Sequence, residues 1–250
     1  MSVNSNSANG SRSSIHPFER DQPSGQVKSS PSIEPSAVRF FTGLERSQTR
    51  EILAAATLRK LKGGEIVARA DEPATHLFLL KNGCIDYFVV TSDGREILLR
   101  RLVSGNIFGV GAFLSDPVGY VGTSKSVHNS EVFMWGNAVI RKLVKTYPLL
   151  GENALRTVLR YVALFAERHI ALVTKPAQER LAFALTSLGS RAGHMVPSGV
   201  EINIKNEDLA SLADVSFFTA SRFLQEWERK GAVEKSRGKV LIRSPEKLLA

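Results

Sequence analysis

Residues 206–231 read NEDLASLADVSFFTASRFLQEWERKG, and this stretch decides the reading of the chain. Asn206 suits the cap of a first helix, with Glu207 and Asp208 favourable in its opening turn. Asp214-Val215 forms a tight turn, Ser216 caps a second helix, and Gly231 ends it by tolerating a left-handed backbone. Leu209, Leu212, Ala213, Val215, Ala220, Phe223, Leu224 and Trp227 recur at helical spacing and form a shared core. The opposite face carries Thr219, Ser221, Arg222, Gln225 and Arg229, donors suited to phosphates and base edges.

Two short amphipathic helices around a turn also occur in proteins that never meet a nucleic acid, so the flanking sequence matters. Lys239-Val240-Leu241-Ile242-Arg243 is a β-branched run bounded by Gly238 and Ser244-Pro245, which reads as a strand. With Ala232 to Lys235 before it and Ser236-Arg237-Gly238 as the turn, it forms a hairpin wing. A winged helix-turn-helix is a far more specific pattern than two helices.

The chain has 250 residues, enough for two domains, and a formal net charge of +9. That charge suits a polyanionic partner but does not locate its site. Residues 176–250 hold 11 Lys or Arg against 9 Asp or Glu, a balance of only +2. The single cysteine, Cys84, rules out a disulfide framework within one chain and a thiolate-rich metal site. No apolar run is long enough to cross a bilayer, and no secretory signal opens the chain, so a cytoplasmic location is expected. No Ser/His/Asp or zinc-ligand constellation is found, which argues against an enzyme.

Residues 1–36 are dominated by Ser, Asn, Pro and Gly, the composition of a disordered tail; His16-Pro17-Phe18 is a candidate docking patch within it. Phe40 to Leu44 lead into a short helix. Strand-like runs then follow at Glu65–Arg69, His76–Leu80, Cys84–Val90, Glu96–Leu102 and Glu131–Trp135. They are punctuated by Gly63-Gly64, Asn82-Gly83, Asp93-Gly94 and Ser104-Gly105, which predicts an antiparallel sandwich or barrel. Ser92-Asp93-Gly94-Arg95 is a hairpin signal. From Leu150 to Val173 apolar residues recur every three or four positions. Leu155, Val158, Leu159, Val162, Phe165, His169 and Leu172 form a stripe with coiled-coil steps, a candidate dimer interface. Thr174-Lys175 reads as a hinge, and Pro176 opens a further helix over Ala177–Gly189 that packs Leu181, Leu185 and Leu188 onto the winged unit.

The order of these pieces resembles the cyclic-AMP receptor and fumarate–nitrate regulator (Crp/Fnr) superfamily of bacterial transcription factors. The likeness spans residues 38–250 and rests on Leu77 to Gly83, Asp93-Gly94-Arg95-Glu96, Gly105-Asn106-Ile107-Phe108-Gly109, and Asp208-Leu209-Ala210 through Ser221-Arg222. It implies an α+β architecture: a cyclic-nucleotide-binding-like antiparallel β-barrel of the double-stranded β-helix or jelly-roll kind over 37–147, a central dimerisation helix and hinge over 148–175, and a winged helix-turn-helix over 176–250. It further implies a homodimer on a two-fold symmetric stretch of double-stranded DNA, a small-molecule effector in the barrel and, for an activator, RNA polymerase as a partner.

The departures from the family pattern limit what the resemblance carries over. The implied effector pocket is Gly109, Val110, Gly111, Tyr120 and Thr123. Family members that bind cyclic nucleotides have a Glu where Val110 stands and an Arg where Tyr120 stands. Without that guanidinium a buried cyclic phosphate loses its charge-assisted bidentate contact, so cyclic AMP is not the expected effector. One thiolate cannot hold an iron–sulfur cluster. Haem, used by gas sensors of this family, is an alternative cofactor, with His76, Cys84, His128 and His169 as candidate axial ligands. A packed or solvated side chain is the simpler reading of each, and Cys84 reads by default as a small buried hydrophobe. A ligand-binding or scaffold protein whose winged unit contacts other proteins is the remaining alternative.

On the second helix the family often places a Glu four residues before an Arg. Here Phe218 holds the first position and Arg222 the second, neighbours on one helical face. Arg222 suits guanine O6 and N7, and Phe218 a thymine methyl group. Phe217 and Phe218 also read as residues packing inward at the turn, at least one of them. Ser216, Thr219 and Ser221, with Arg237 and Lys239 on the wing, are assigned to the phosphate backbone.

Overall fold

Alternating strands and glycine turns shape the first half of the protein into two facing sheets. The computed structural model describes residues 38–249; the tail and its His16-Pro17-Phe18 patch lie outside the described residues. After a 3-10 turn at Arg39–Phe41 come α1 (Arg46–Ala54), β1 (Thr57–Leu61), β2 (Ile66–Ala68), β3 (His76–Asn82), β4 (Cys84–Val90), β5 (Glu96–Val103), β6 (Ile107–Phe108), β7 (Thr123–Ser126) and β8 (Ser130–Gly136). Then follow α2 (Asn137–Thr146), α3 (Pro148–Thr174), α4 (Ala177–Ala192), β9 (His194–Val196), β10 (Gly199–Asn203), α5 (Asn206–Ala213), α6 (Phe217–Arg229), β11 (Val233–Ser236) and β12 (Lys239–Ile242).

The N-terminal half pairs β1-β8-β3-β6 in one sheet and β2-β7-β4-β5 in the other. The antiparallel roll expected from the sequence is present as these two four-stranded sheets, and among the described residues no strand pairing closes them into a barrel. Strand β3 explains why Leu77-Phe78-Leu79-Leu80 reads as one apolar run. Successive side chains leave opposite faces, and both faces are covered. Phe78 and Leu80 enter the core between the sheets with Ile85, Leu102, Phe108 and Val132. Leu77 and Leu79 enter a second core with Phe40, Ile52, Trp135, Ile140 and Leu150. Trp135 donates its indole N–H to the Ile52 carbonyl at 2.8 Å, which ties α1 to β8. The β4–β5 hairpin turns at Asp93-Gly94, with Thr91 N–H donating to the Arg95 carbonyl at 2.9 Å.

Helix α3 runs from Pro148 at its first turn to Thr174. Its inner face buries Asn153, Ala154, Thr157, Leu164 and Ala171, while Leu155, Leu159, Val162, Phe165 and Leu172 lie exposed and Val158 is half-buried. Asn153 donates to the carbonyls of Phe40 and Thr42 at 3.1 and 2.8 Å, anchoring the start of the helix to the roll. Lys175 is the break, and α4 begins after Pro176 as expected. It runs past Gly189 to Ala192 and packs Leu181, Leu185 and Leu188 into the winged core with Leu209, Leu224 and Trp227.

The wing is part of a four-stranded sheet, β11-β12-β10-β9. The β9–β10 hairpin is not predicted by the sequence reading, because its turn, Pro197-Ser198-Gly199, separates strands of only three and five residues. Gly199 adopts φ +143°, and a Cβ there would sit 2.0 Å from the Ile242 carbonyl oxygen, so the backbone crossing under the wing requires glycine.

Candidate functional site

Helix α6 is held by one face and presents the other. Ala220, Leu224 and Trp227 are buried against the winged core. Ser216 caps the helix by accepting from Thr219 N–H at 3.0 Å, and its hydroxyl also meets the Thr219 hydroxyl at 2.8 Å. The turn before it rests on Asp214, a non-glycine residue in the left-handed region at φ +49°. Arg180 secures that turn by donating to the carbonyls of Ala213 and Asp214 at 3.1 and 2.8 Å.

The structure therefore brings Ser216, Phe218, Thr219 and Arg222 to one end and one side of α6. Phe218 is 82 % exposed and Phe217 44 %, their rings meeting edge to face at 5.8 Å. The expectation that one of the pair packs inward is not met: both rings are exposed, and it is Val215 and Phe223 that pack against the core at this end of the helix. Arg222 is exposed, with its guanidinium 5.0 Å from the Phe223 ring centre.

One expected role needs correction. Asn206 is the first helical residue of α5 rather than its cap, which is Lys205. The Asn206 amide instead donates to the Ser221 hydroxyl at 3.4 Å, so Ser221 is partly buried in the seam between α5 and α6. On the wing, Arg237 is exposed at the hairpin tip, whereas Lys239 ion-pairs with Glu201 at 2.8 Å.

Sequence reasoning missed the joint that positions this unit. Arg101 of β5 is 9 % exposed and grips both oxygens of Asp86 at 2.7 and 2.9 Å. It also donates to Asp208 of α5 at 3.0 Å and to the Asn203 carbonyl. Two nearby carboxylates hold the guanidinium charged well above its ordinary range despite its burial. Beside it Leu98 N–H donates to the Ser211 hydroxyl at 3.1 Å. Arg168 of α3 donates to the carbonyls of Leu99 and Leu212, both at 2.9 Å. The only signal in the sequence was a pair of arginines, Arg100-Arg101, in a strand whose neighbours are apolar.

Inside the roll, the residues expected to form the effector pocket make contacts with the protein itself. Tyr120 is buried, and its hydroxyl accepts from His76 N–H at 3.1 Å and donates to the His76 carbonyl at 3.3 Å. Its ring lies 6.4 Å from that of Phe78, which stacks on Phe108 at 4.8 Å. Gly109 takes φ +77°, and a Cβ there would stand 2.4 Å from the His76 carbonyl oxygen. Val110 and Gly111 lie in a 3-10 turn, and the Thr123 hydroxyl accepts from Ala70 N–H at 3.1 Å.

The candidate haem ligands are dispersed over separate surroundings. His76 Nδ1 is engaged by the Thr75 hydroxyl at 2.9 Å, and exposed His128 sits 3.1 Å from the Asn129 carbonyl. His169 stands on the outward side of α3 and lines a cavity of about 190 Å³ with Phe165, Arg168 and Phe183. That volume is below the roughly 300 Å³ at which organic-ligand pockets begin, so the surroundings of His169 do not fit a haem. Burial pushes the Cys84 thiol up to about 11, the behaviour of a packed thiol rather than a reactive thiolate. Among the described residues no group of three His, Cys, Asp or Glu is placed to hold a metal ion, and no helix is long and apolar enough to cross a membrane.

Comparison with known proteins matches both halves to family models: a cyclic nucleotide-binding domain over residues 58–147 and a Crp-like helix-turn-helix domain over residues 179–250. The chain is 23 % identical over 186 residues to Electron transport regulator A of Shewanella oneidensis, covering 74 % of this chain and 73 % of that protein. It is 26 % identical over 205 residues to the Cyclic AMP receptor protein of Thermus thermophilus, covering 82 % and 92 %. The solved structure of FixK2 from Bradyrhizobium japonicum shares the fold with a TM-score of 0.67 at 18 % identity, over 78 % of this chain and 96 % of that one.

Proposed function

The chain belongs to the Crp/Fnr superfamily of transcription regulators, with a cyclic nucleotide-binding-type domain and a helix-turn-helix DNA-binding domain, and we propose that it works as a homodimer that reads a two-fold symmetric operator under control of a signal other than cyclic AMP or an iron–sulfur cluster. The observation that carries this reading is the outward side of α6. A capped helix start presents Phe218 and Arg222 to solvent while Leu224 and Trp227 hold the helix from behind. Arg222 supplies a fork for guanine O6 and N7, and Phe218 an apolar contact for a thymine methyl group. Ser216, Thr219 and Arg237 lie at positions that serve the phosphate backbone, with Ser221 and Lys239 more committed to protein contacts.

Dimerisation is supported by the apolar stripe of α3, in which Leu155, Leu159 and Val162 are exposed among the described residues over two turns of helix. Two copies joined along it carry two α6 helices, the arrangement that matches a palindrome. The exclusion of cyclic AMP rests on Val110 and Tyr120, which stand where a ribose-holding Glu and a phosphate-holding Arg are needed. The Tyr120 ring and hydroxyl are committed to Phe78 and the His76 backbone. For an activator, RNA polymerase is the further partner.

Footprinting of the purified protein on genomic DNA, followed by anisotropy titrations on the fragments recovered, tests the reading. Protected sites with two-fold symmetry are expected, with affinity falling about 10³–10⁵-fold between 50 and 200 mM salt for six to ten phosphate contacts, and with no response to cyclic AMP. A monomer that leaves all DNA unprotected at low salt, with and without cell extract as an effector source, overturns it.

A further inference from the structure

Between the sensor half and the start of the DNA-reading half lies a cavity of about 500 Å³, bounded by the β5–β6 turn, the inner side of α3 and the end of α4. Its volume falls in the roughly 300–1,000 Å³ range of small-molecule pockets. Its walls carry an unusual excess of one charge. Arg100 comes from β5, Arg160 from α3 and Arg191 from α4, with Arg39 at the rim. Arg101 also borders it, but that guanidinium is already neutralised by Asp86 and Asp208.

The other guanidiniums are not neutralised in this way. Among the described residues, Arg100, Arg160 and Arg191 form no ion pair with a carboxylate within 4.0 Å, and Glu167, the one acidic residue in the lining, offsets Arg191 only in part and without direct contact. Arg160 spends a donor on the Thr157 hydroxyl at 3.0 Å. Arg100 lies flat on the Tyr161 ring at 3.8 Å and gives one nitrogen to the Asn106 amide oxygen at 3.2 Å. Its other terminal nitrogen, Nη1, is shielded from solvent and has no hydrogen-bond partner. Burial, with Arg191 and Arg160 adding repulsion, holds the Arg100 guanidinium below its ordinary range.

A buried donor without a partner is destabilising, more so when charged, and like charges in a partly dry cavity add to that cost. An anion would satisfy the donor and neutralise the cluster together. Planar guanidinium forks on three sides match a phosphate group, which offers three acceptor oxygens and nearly two negative charges, better than a single carboxylate. We propose that this cavity is a binding site for a small phosphate-bearing anion, held by Arg100, Arg160 and Arg191. It is separate from the stretch Gly109–Thr123 inside the roll. Because Arg191 belongs to α4 and the other two to β5 and α3, a bound phosphate would tie the two halves of the protomer.

The test is calorimetric titration of the full chain with inorganic pyrophosphate and inorganic phosphate at constant ionic strength, with citrate as the carboxylate arm. Saturable binding of one pyrophosphate per protomer is expected, stronger than phosphate and stronger than citrate. Arg191→Gln, at the exposed end of α4 where the fold tolerates change, is expected to weaken pyrophosphate at least tenfold. Arg100→Gln should do the same, and Arg222→Gln on the distant α6 should leave affinity unaltered. The proposal is overturned by absence of saturable binding, by citrate binding more tightly, by unchanged affinity in both Arg191→Gln and Arg100→Gln, or by loss of binding in Arg222→Gln. The outcome does not depend on whether the protein binds DNA, so the two readings fail separately.

Discussion

The two sides of α3 were built for different neighbours. Its outer side carries Leu155, Leu159 and Val162, each 58 % exposed, as a continuous apolar stripe. Its inner side carries Leu150, Ala154, Thr157, Tyr161, Leu164, Arg168 and Ala171, a mixture of aliphatic, small and polar residues that are the ones in contact with the rest of the protomer. Leu164 and Ala171 are 8 % and 5 % exposed. The exposed apolar pattern of the outer side is the face that the proposed dimer would use. Attachment of the inner side to the protomer includes hydrogen bonds from Tyr161 and Arg168 to backbone carbonyls.

The sharpest way to break this contrast is to charge the outer side. Leu159→Glu combined with Val162→Glu puts four acids at the centre of the proposed dimer seam and touches nothing buried. The protomer is expected to keep its melting temperature within a few degrees and to sediment as a monomer. Loss of the second α6 removes the effective-concentration advantage of a linked pair, so affinity for a palindromic site should fall by about 10²–10⁴. Persistence of a dimer in sedimentation would place the seam elsewhere.

The inner side and the joint beside it are tested by Arg101→Met. Removing the guanidinium leaves Asp86 and Asp208 partly buried without a counter-charge, and breaking a buried pair in this way costs about 3–5 kcal/mol. Denaturant unfolding measures it. Adding Asp86→Asn and Asp208→Asn should recover much of the loss, because the unpaired carboxylates, rather than a missing attraction, carry the penalty. No recovery would mean that Arg101 acts mainly through the Asn203 carbonyl.

The contrast also explains what could be read in the sequence. Elements whose residues alternate or repeat by polarity were legible: β4 was expected at Cys84–Val90 and occurs there, and α6 follows Ser216 as expected. Of the expected dimer stripe, Leu155, Leu159, Val162, Phe165 and Leu172 are exposed and Val158 is half-buried. Strand β7 was missed because Thr123-Ser124-Lys125-Ser126 has no apolar pattern. Of its buried hydroxyls, Ser126 donates to Ser130 at 3.0 Å and Thr123 accepts from Ala70 N–H, whereas that of Ser124 has no protein partner, and periodicity registers none of this. Asn206 was assigned to its helix cap by residue type, yet its partner is Ser221, fifteen positions away. The Arg101 joint and the arginine-lined cavity were illegible for the same reason: β5, α3 and α4 converge there only after folding.

Helix α6 bears on both sides in the proposed dimer, in which its placement would depend on the Arg101 joint and its pairing on the outer stripe. Arg222→Ala should cost about 1–3 kcal/mol on the best operator and little on a scrambled duplex, whereas Arg237→Ala should weaken both alike and flatten the salt slope by about one unit. Phe218→Glu supplies an acceptor for a cytosine amine and should change base preference at one position of each half-site. Competition between operator variants measures this, and an unaltered preference would remove Phe218 from the base-reading set.

The smallest expected effect isolates the inner side most cleanly. Tyr161 donates its hydroxyl to the Ile107 carbonyl at 3.1 Å while its ring supports Arg100. Tyr161→Phe deletes the donor and keeps the ring, so it should cost only about 0.5–1.5 kcal/mol. For a chain of this size that is a fall in Tm of about 2–4 °C per kcal/mol. Tyr161→Leu also removes the ring and should cost more. Neither change touches the outer stripe, so both variants should sediment as the wild type does. A shift to monomer in Tyr161→Phe would mean that the two sides of α3 are coupled, with α3 set against the roll by this hydrogen bond before it can meet its copy.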